Sequence, residues 1–171
     1  NFNIDNQSNQ SMKKFSIEIK WGIIFSIISL IWVYLEKSLG WHDENIAQYA
    51  IYTNLFAIVA IALYVVALLD KRKNIYHGKM TWSQGFISGI VVSIVVAILS
   101  PLAMYITHEF ITPDYFPNVI DYSVESGAMT RAAAEEYFNM TSYIIQSFFF
   151  ALVVGVVTSA IVAFFVKTKK K

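Results

Sequence analysis

The sequence predicts an all-α membrane protein: a bundle of four transmembrane helices, with both termini in the cytoplasm and a partly helical outer loop between helices three and four. Three observations predict this fold. Charged residues make up only 15% of the 171 residues, whereas an average soluble domain carries about 25%. The basic residues concentrate on one side of the predicted crossings. Asp, Glu, Lys, Arg and His are missing from four long stretches, residues 21–35, 46–69, 85–107 and 143–166.

The apolar stretches are long enough to cross a bilayer. About 20 apolar residues span a hydrocarbon core, and spans of this length form helices because backbone polar groups must be bonded inside lipid. We place the spans at residues 15–38, 46–69, 83–108 and 142–166, with an outer loop over 109–141, in a single domain of residues 12–171. Residues 1–11, rich in Asn, Gln and Ser, are interpreted as a disordered leader or one added for expression.

The first span has a rival interpretation as a secretory signal, since Lys13 and Lys14 precede its apolar run. Its exit, EKSLGWHDE, lacks a small-x-small cleavage pattern. We therefore treat this segment as a span whose Lys20 can extend its charged head to the membrane interface.

Basic residues set the predicted orientation. Eleven of the 13 Lys and Arg residues lie near the termini or between spans two and three, whereas nine of the 12 acids lie in the opposite loops. The positive-inside rule therefore places both termini in the cytoplasm. The basic end KTKKK is interpreted as a topology anchor, and we expect no nucleic-acid partner.

Spans three and four each carry a stripe of small residues, spaced four apart and therefore on one helix face. In a bilayer such stripes let two helix backbones approach closely. We favour a seam between the two spans of one chain, and a homodimer contact is the alternative. Gly89→Leu and Gly155→Leu are expected to disrupt the seam, whereas Val95→Leu is expected to be neutral. The stripe residues are Gly85, Gly89, Ser93 and Ala97 in span three, and Ala151, Gly155, Ser159 and Ala163 in span four.

Span three has further signals. Thr81 and Gln84 have the spacing of a capping box at its start. Pro101 should kink the helix and free one carbonyl, which Ser100 or a neighbouring helix could satisfy.

Polar side chains within the spans are few. Asn54, Gln146 and Ser100 are candidates for intramembrane polar contacts, either as hydrogen bonds between helices or as contacts to a substrate. We expect no ionisable residue at depth, which argues against proton-coupled transport.

The outer loop contains signals for two short helices. Thr112-Pro113-Asp114 and Phe116-Pro117 indicate helix starts, Gly127 a stop, and Thr130 a cap for RAAAEEYF. We expect these pieces to form an interfacial lid over the bundle.

One group of residues on the predicted outer face could bind a ligand. Imidazole and carboxylate together suit zinc or another divalent ion, but the spacing matches no known metal signature, so solvated loop residues explain the group equally well and we assign no metal. The candidate residues are His42, Asp43, Glu44, His108 and Glu109.

Over residues 12–170 the layout resembles a bacterial family of small four-span inner-membrane proteins, classed only as a domain of unknown function. The resemblance is carried by MKKFSIEIKWGIIF, GKMTWSQGFISGI, YFPNVIDYSVESGAMTRAAAEEYF and FFVKTKK. It implies a four-helix membrane domain, and it implies no activity and no site residues.

Three functions remain open from the sequence. We favour a non-enzymatic structural, assembly or accessory subunit of the bacterial envelope, whose partners are the lipid bilayer and a second copy or another membrane protein. A small transporter or channel component is the alternative, and a membrane enzyme with an outer-face His/carboxylate site is the third. We expect no cofactor, because glycine-rich phosphate loops and nucleophile elbows are missing from the sequence.

Overall fold

The chain folds into helices. The computed structural model describes the backbone of residues 2–169 and the side chains of residues 15–169. The elements are α1 (Phe2–Ser38), α2 (Ile46–Tyr52), a 3₁₀ turn (Thr53–Leu55), α3 (Phe56–Asn74), α4 (Trp82–Ile106), a π turn (Thr107–Ile111), α5 (Tyr115–Glu125), α6 (Arg131–Tyr137) and α7 (Met140–Val166). The predicted all-α fold is confirmed. The predicted leader, residues 1–11, lies outside the described side chains, and its interpretation stays a prediction.

Four helical segments are long and apolar enough to cross a membrane: Phe15–Ser38, Ile46–Asn74, Trp82–Ile111 and Met140–Val166. Their outward side chains are large and apolar, and Ile98 and Phe165 are 65% and 78% exposed. Soluble monomers rarely expose contiguous apolar surface of this kind. The four segments therefore indicate a multi-pass membrane protein, as predicted.

The bundle has two different ends. At the terminal end, the turn at residues 75–81 lies beside the end of α7, where the Arg72 guanidinium donates to the Val166 carbonyl at 2.8 Å. The Thr168 N–H donates to the Met80 carbonyl there, also at 2.8 Å. At the lid end lie the connection at residues 39–45 and the segment 112–139, which contains α5 and α6 and is called the lid below.

The small-residue stripes of α4 and α7 face each other within one chain. A Cβ added to Gly89 would lie 2.6 Å from Ser159 Cβ, and one added to Gly155 would lie 2.5 Å from Ser93 Cβ. Carbon atoms do not pack this closely, so the two backbones approach only because both positions lack a side chain. Ala151 is half-buried, and the other stripe residues, Gly85, Gly89, Ser93, Ala97, Gly155, Ser159 and Ala163, are buried.

Gly22 brings α1 against α4 in a similar way. A Cβ at Gly22 would lie 2.5 Å from Val95 Cγ1. Val95 therefore belongs to a helix contact, and an added methylene there would overpack it. This corrects the expectation that Val95→Leu is neutral, and the exposed Ile98 is the better control position.

The predicted start of the third membrane helix is confirmed. The Gln84 N–H donates to Thr81 Oγ1 at 3.2 Å, and the Thr81 N–H donates to Gln84 Oε1 at 2.9 Å. Further along α4, Pro101 has no N–H to donate to the Ala97 carbonyl. Ser100 Oγ donates to that carbonyl at 2.9 Å, which satisfies the acceptor that proline leaves free.

The lid contains the two predicted short helices. α5 follows Pro113, the chain turns at Gly127 with φ +73°, and Thr130 caps α6 by accepting from the Ala133 N–H at 3.3 Å. An ion pair of 2.7 Å joins Arg131 of α6 to Asp121 of α5. The lid is therefore an ordered structure above the bundle.

Candidate functional site

A small, partly open cavity lies beneath the lid, and we call it the lid chamber. Its volume is about 60 Å³. Side chains from the membrane helices, the first connection and the lid all reach it, so no single element forms the site. The lining residues are Val33, His42, Tyr49, Met104, Thr107, His108, Tyr115 and Tyr143.

His42 lies next to a buried carboxylate, that of Glu36. Its Nε2 lies 3.5 Å from Glu36 Oε2, and the two side chains are only 4% and 2% exposed. Trp32 Nε1 donates to the other oxygen, Glu36 Oε1, at 2.7 Å. Asn118 of the lid donates to the His42 carbonyl at 3.0 Å. Because Nε2 faces the carboxylate, the other ring nitrogen, Nδ1, is the one that can bind a ligand in the lid chamber.

His108 enters the chamber from the π turn that ends the third membrane helix. π turns inside helices occur often at functional sites. The His108 ring stacks on Phe116 of the lid with 4.2 Å between centroids and meets Tyr143 edge-on at 5.6 Å. The imidazole is therefore enclosed by aromatic rings from α5 and α7.

Tyr115 contacts both imidazoles. Its ring centroid lies 5.3 Å from that of His42 and 5.4 Å from that of His108, and its hydroxyl lies 3.1 Å from the Tyr143 hydroxyl. Burial, and then the neighbouring Tyr49 and Tyr143, raise the pKa of Tyr115 far above its usual range. The side chain therefore stays a neutral phenol at physiological pH.

Three buried polar atoms of the chamber residues have no hydrogen-bond partner: His42 Nδ1, Thr107 Oγ1 and His108 Nδ1. They are the complete set of such side-chain atoms in the part of the chain whose side chains are described. Buried polar groups in native proteins are normally paired, so unpaired ones usually have a functional explanation or a water or ion as partner. All three atoms belong to residues that line one cavity, which makes the lid chamber the candidate functional site.

The five outer-face candidates from the sequence divide into two groups. His42 and His108 are buried in the chamber, whereas Asp43, Glu44 and Glu109 are exposed. Among the described side chains, no group of three or more His, Cys, Asp or Glu residues is arranged to hold a metal ion. Sequence reasoning missed Glu36, Thr107 and the three tyrosines, because nothing in their spacing relates them to the histidines.

The three intramembrane candidates lie in different places. Asn54 is exposed, and its side-chain amide donates to the Ala50 carbonyl of its own helical segment at 2.7 Å. Gln146 is exposed on α7. Ser100 is buried and accepts from Ser147 Oγ at 3.4 Å, in addition to its bond to Ala97. The structure therefore does not bring these three residues together.

A second buried polar cluster lies at the terminal end. Lys71 Nζ is 2.8 Å from Glu18 Oε1, and Ser88 Oγ donates to the same oxygen at 2.7 Å. The Lys71 and Glu18 side chains are 3% and 1% exposed, and both residues lie within the membrane segments. The expectation of no ionisable residue inside the bundle is therefore wrong. Lys71 was counted only as a basic residue between spans two and three, but Lys71 and Glu18 face inward and join α1, α3 and α4.

A second ion pair, more exposed than the first, lies beside this cluster at the terminal end. Lys20 Nζ lies 2.5 Å from Asp70 Oδ2, and Trp21 Nε1 donates to the same oxygen at 2.7 Å. The Lys20 side chain is half exposed, as expected for a lysine that extends to the interface. This pair adds a second polar connection between α1 and α3.

The four apolar helices define a multi-pass helical membrane protein, and the lid chamber is its candidate site. The chain belongs to the family described as Protein of unknown function (DUF4199), whose model matches residues 20–168. The predicted resemblance to a family of unknown function is thereby confirmed. No curated protein and no solved structure matches the chain. The family description names no activity, and the lid chamber is the feature of the structure that bears most directly on function.

Proposed function

We propose that the protein is a non-enzymatic accessory subunit of the bacterial inner membrane, which acts by binding a small ligand in the lid chamber. The observation that carries this proposal is the set of three unpartnered polar atoms in one buried cavity. Binding is favoured over catalysis because a cavity of about 60 Å³ holds an ion or a few water molecules rather than a reacting substrate. A partner protein would contact the exposed surface of the lid.

The same proposal places both termini in the cytoplasm and the lid on the outer face. It is supported by the charge distribution, since the terminal end carries most of the lysines and arginines and the lid is acidic. An open groove of about 240 Å³ between the lid and the connection at residues 39–45 is lined by three carboxylates, those of Asp43, Asp121 and Glu125. These acidic residues would then lie on the side of the membrane opposite the basic termini.

Cysteine labelling tests the orientation without background, because the chain has no native cysteine. In intact spheroplasts a membrane-impermeant maleimide should label Asp43→Cys, whereas Lys169→Cys should react only after lysis. Both positions are exposed, so burial does not confound the comparison. Labelling of Lys169→Cys alone in intact spheroplasts would show the opposite orientation.

Filling the chamber tests the proposed function. Thr107→Leu adds bulk to the chamber and removes a buried hydroxyl that has no partner, so the folded state should be as stable as wild type or more so. We expect this variant to fail in complementing a strain that lacks the gene. Thr107→Ser, which keeps the hydroxyl and adds no bulk, is the matched control and should complement. Full complementation by Thr107→Leu would contradict the proposal.

A small transporter or channel component is the second candidate, favoured by the buried Glu18–Lys71 pair. Ionisable residues within a membrane often mark an ion or proton pathway. Purified protein in liposomes should then carry an ion or proton current that Glu18→Gln abolishes. An accessory subunit should show no current in either form.

A further inference from the structure

We propose that the lid chamber is a binding site for a single copper(I) ion, held by Nδ1 of His42, Nδ1 of His108 and the thioether of Met104. The inference rests on the proposed function, because it names the ligand of the same chamber. All three side chains line the cavity, and neither Nδ1 atom has a partner.

The Glu36 carboxylate prepares His42 for a metal. Histidines that bind metals commonly direct their other ring nitrogen at a carboxylate, which fixes the tautomer and makes the ligand more basic. Here His42 Nε2 lies 3.5 Å from Glu36 Oε2, and Trp32 holds the second carboxylate oxygen. When Nε2 directs its N–H toward Glu36, Nδ1 of His42 is left with a lone pair for a metal ion.

The ligand set favours a soft metal ion. Imidazole binds zinc, copper, iron and nickel, whereas a thioether such as that of Met104 selects copper(I). Zinc sites normally use three or four His, Cys, Asp or Glu ligands, and no such group exists among the described side chains. Copper(I) accepts two or three ligands, which the chamber can supply.

The charge and the walls of the chamber fit a monovalent ion. The buried Glu36 carboxylate is costly unless a positive charge compensates it. One copper(I) ion on His42 would bring a compensating positive charge close to that carboxylate. Tyr49, Tyr115 and Tyr143 line the space with aromatic rings, so the ion would be partly shielded from water.

Copper binding can be measured on the full-length protein in detergent, titrated anaerobically with copper(I) against a chromogenic copper(I) chelator. We expect one copper ion per chain, with nitrogen and sulfur neighbours in the X-ray absorption spectrum. Met104→Leu conserves side-chain volume and should weaken binding and remove the sulfur signal. Glu36→Gln should lower the copper affinity by about 10- to 100-fold.

Loss of binding in His42→Ala and in His108→Ala would complete the assignment. His77, the third of the chain's three histidines, is exposed at the terminal end, so His77→Ala is the matched control and should bind copper like wild type. Size-exclusion profiles and thermal unfolding report whether each variant is folded. If the alanine variants do not fold, the Met104 and Glu36 variants still decide the question.

Three results would overturn the proposal: no copper(I) bound by the wild-type protein, unchanged copper affinity in Met104→Leu and Glu36→Gln, or zinc competing equally with copper. The proposed function would survive each of them if Thr107→Leu still failed to complement. If the wild-type protein binds copper but Thr107→Leu complements fully, the metal site would be supported and the proposed function would be contradicted.

Discussion

Gly89→Leu and Gly155→Leu should each prevent α4 from packing on α7 and destabilise the bundle by at least about 3 kcal/mol, the upper part of the usual range for overpacking. Even a single Cβ at Gly89 would lie 3.2 Å from the Ser159 Cα, which is backbone and cannot rotate away. A Cβ at Gly155 would also lie 2.9 Å from the Tyr64 hydroxyl. Thermal unfolding in mild detergent measures the loss.

Ile98→Leu is the matched control for the two glycine variants. It introduces the same side chain on α4, but position 98 is 65% exposed and faces away from the helix contacts. Its unfolding temperature should equal that of wild type. Equal stability of all three variants would show that the small-residue contact does not hold α4 and α7 together.

Lys71→Met should destabilise the protein by about 3–5 kcal/mol, the usual cost of removing one partner of a buried ion pair. The substitution leaves the Glu18 carboxylate 1% exposed with its cationic partner removed and Ser88 still donating to it. The unfolding free energy, measured by denaturant titration in detergent, should fall accordingly. Lys79→Met is the control, because Lys79 is exposed at the terminal end.

A second substitution distinguishes a lost charge pair from lost packing. Combining Lys71→Met with Glu18→Gln removes both charges, so the double variant should recover most of the stability lost in Lys71→Met. If the double variant is less stable than either single variant, the two side chains contribute independently. The interpretation of Glu18 and Lys71 as one coupled pair would then fail.

The fold could be predicted from the sequence because hydrocarbon imposes simple requirements on it. Long uncharged stretches must be helices in lipid, and the caps and turns are local signals. Thr81, Thr130 and Gly127 act in the structure as their residue types predict. These features depend on the chain within a few residues of each position.

The buried cluster of Glu18, Lys71 and Ser88 could not be predicted, because it joins residues that are far apart in the sequence. Glu18 and Lys71 are 53 positions apart, and their sequence places them near the ends of apolar stretches, where charges usually reach water. Which way such a side chain faces depends on the rotation of its helix in the bundle. Only the packed arrangement of α1, α3 and α4 decides that they face inward.

The lid chamber was predicted only in part. His42 and His108 were identified because imidazoles and carboxylates share the predicted outer face, and they were therefore grouped with the adjacent acids Asp43, Glu44 and Glu109. Neighbours in sequence point in different directions on a helix or a turn, and those acids are exposed. The real neighbours of the two histidines come from Glu36 in α1, Tyr115 in the lid and Tyr143 in α7.

The central claim, that four membrane helices pack through the small residues of α4 and α7 within one chain, is tested most directly by disulfide formation in native membranes. A Cβ at Gly85 would lie 3.1 Å from Ala163 Cβ, close to the roughly 3.5–4.5 Å of natural disulfides. Gly85→Cys with Ala163→Cys should therefore cross-link under mild oxidation at the mass of a monomer, whereas Ile87→Cys with Ile161→Cys, both exposed, should not. A cross-link only at the mass of a dimer, or none in the first pair, would contradict the claim.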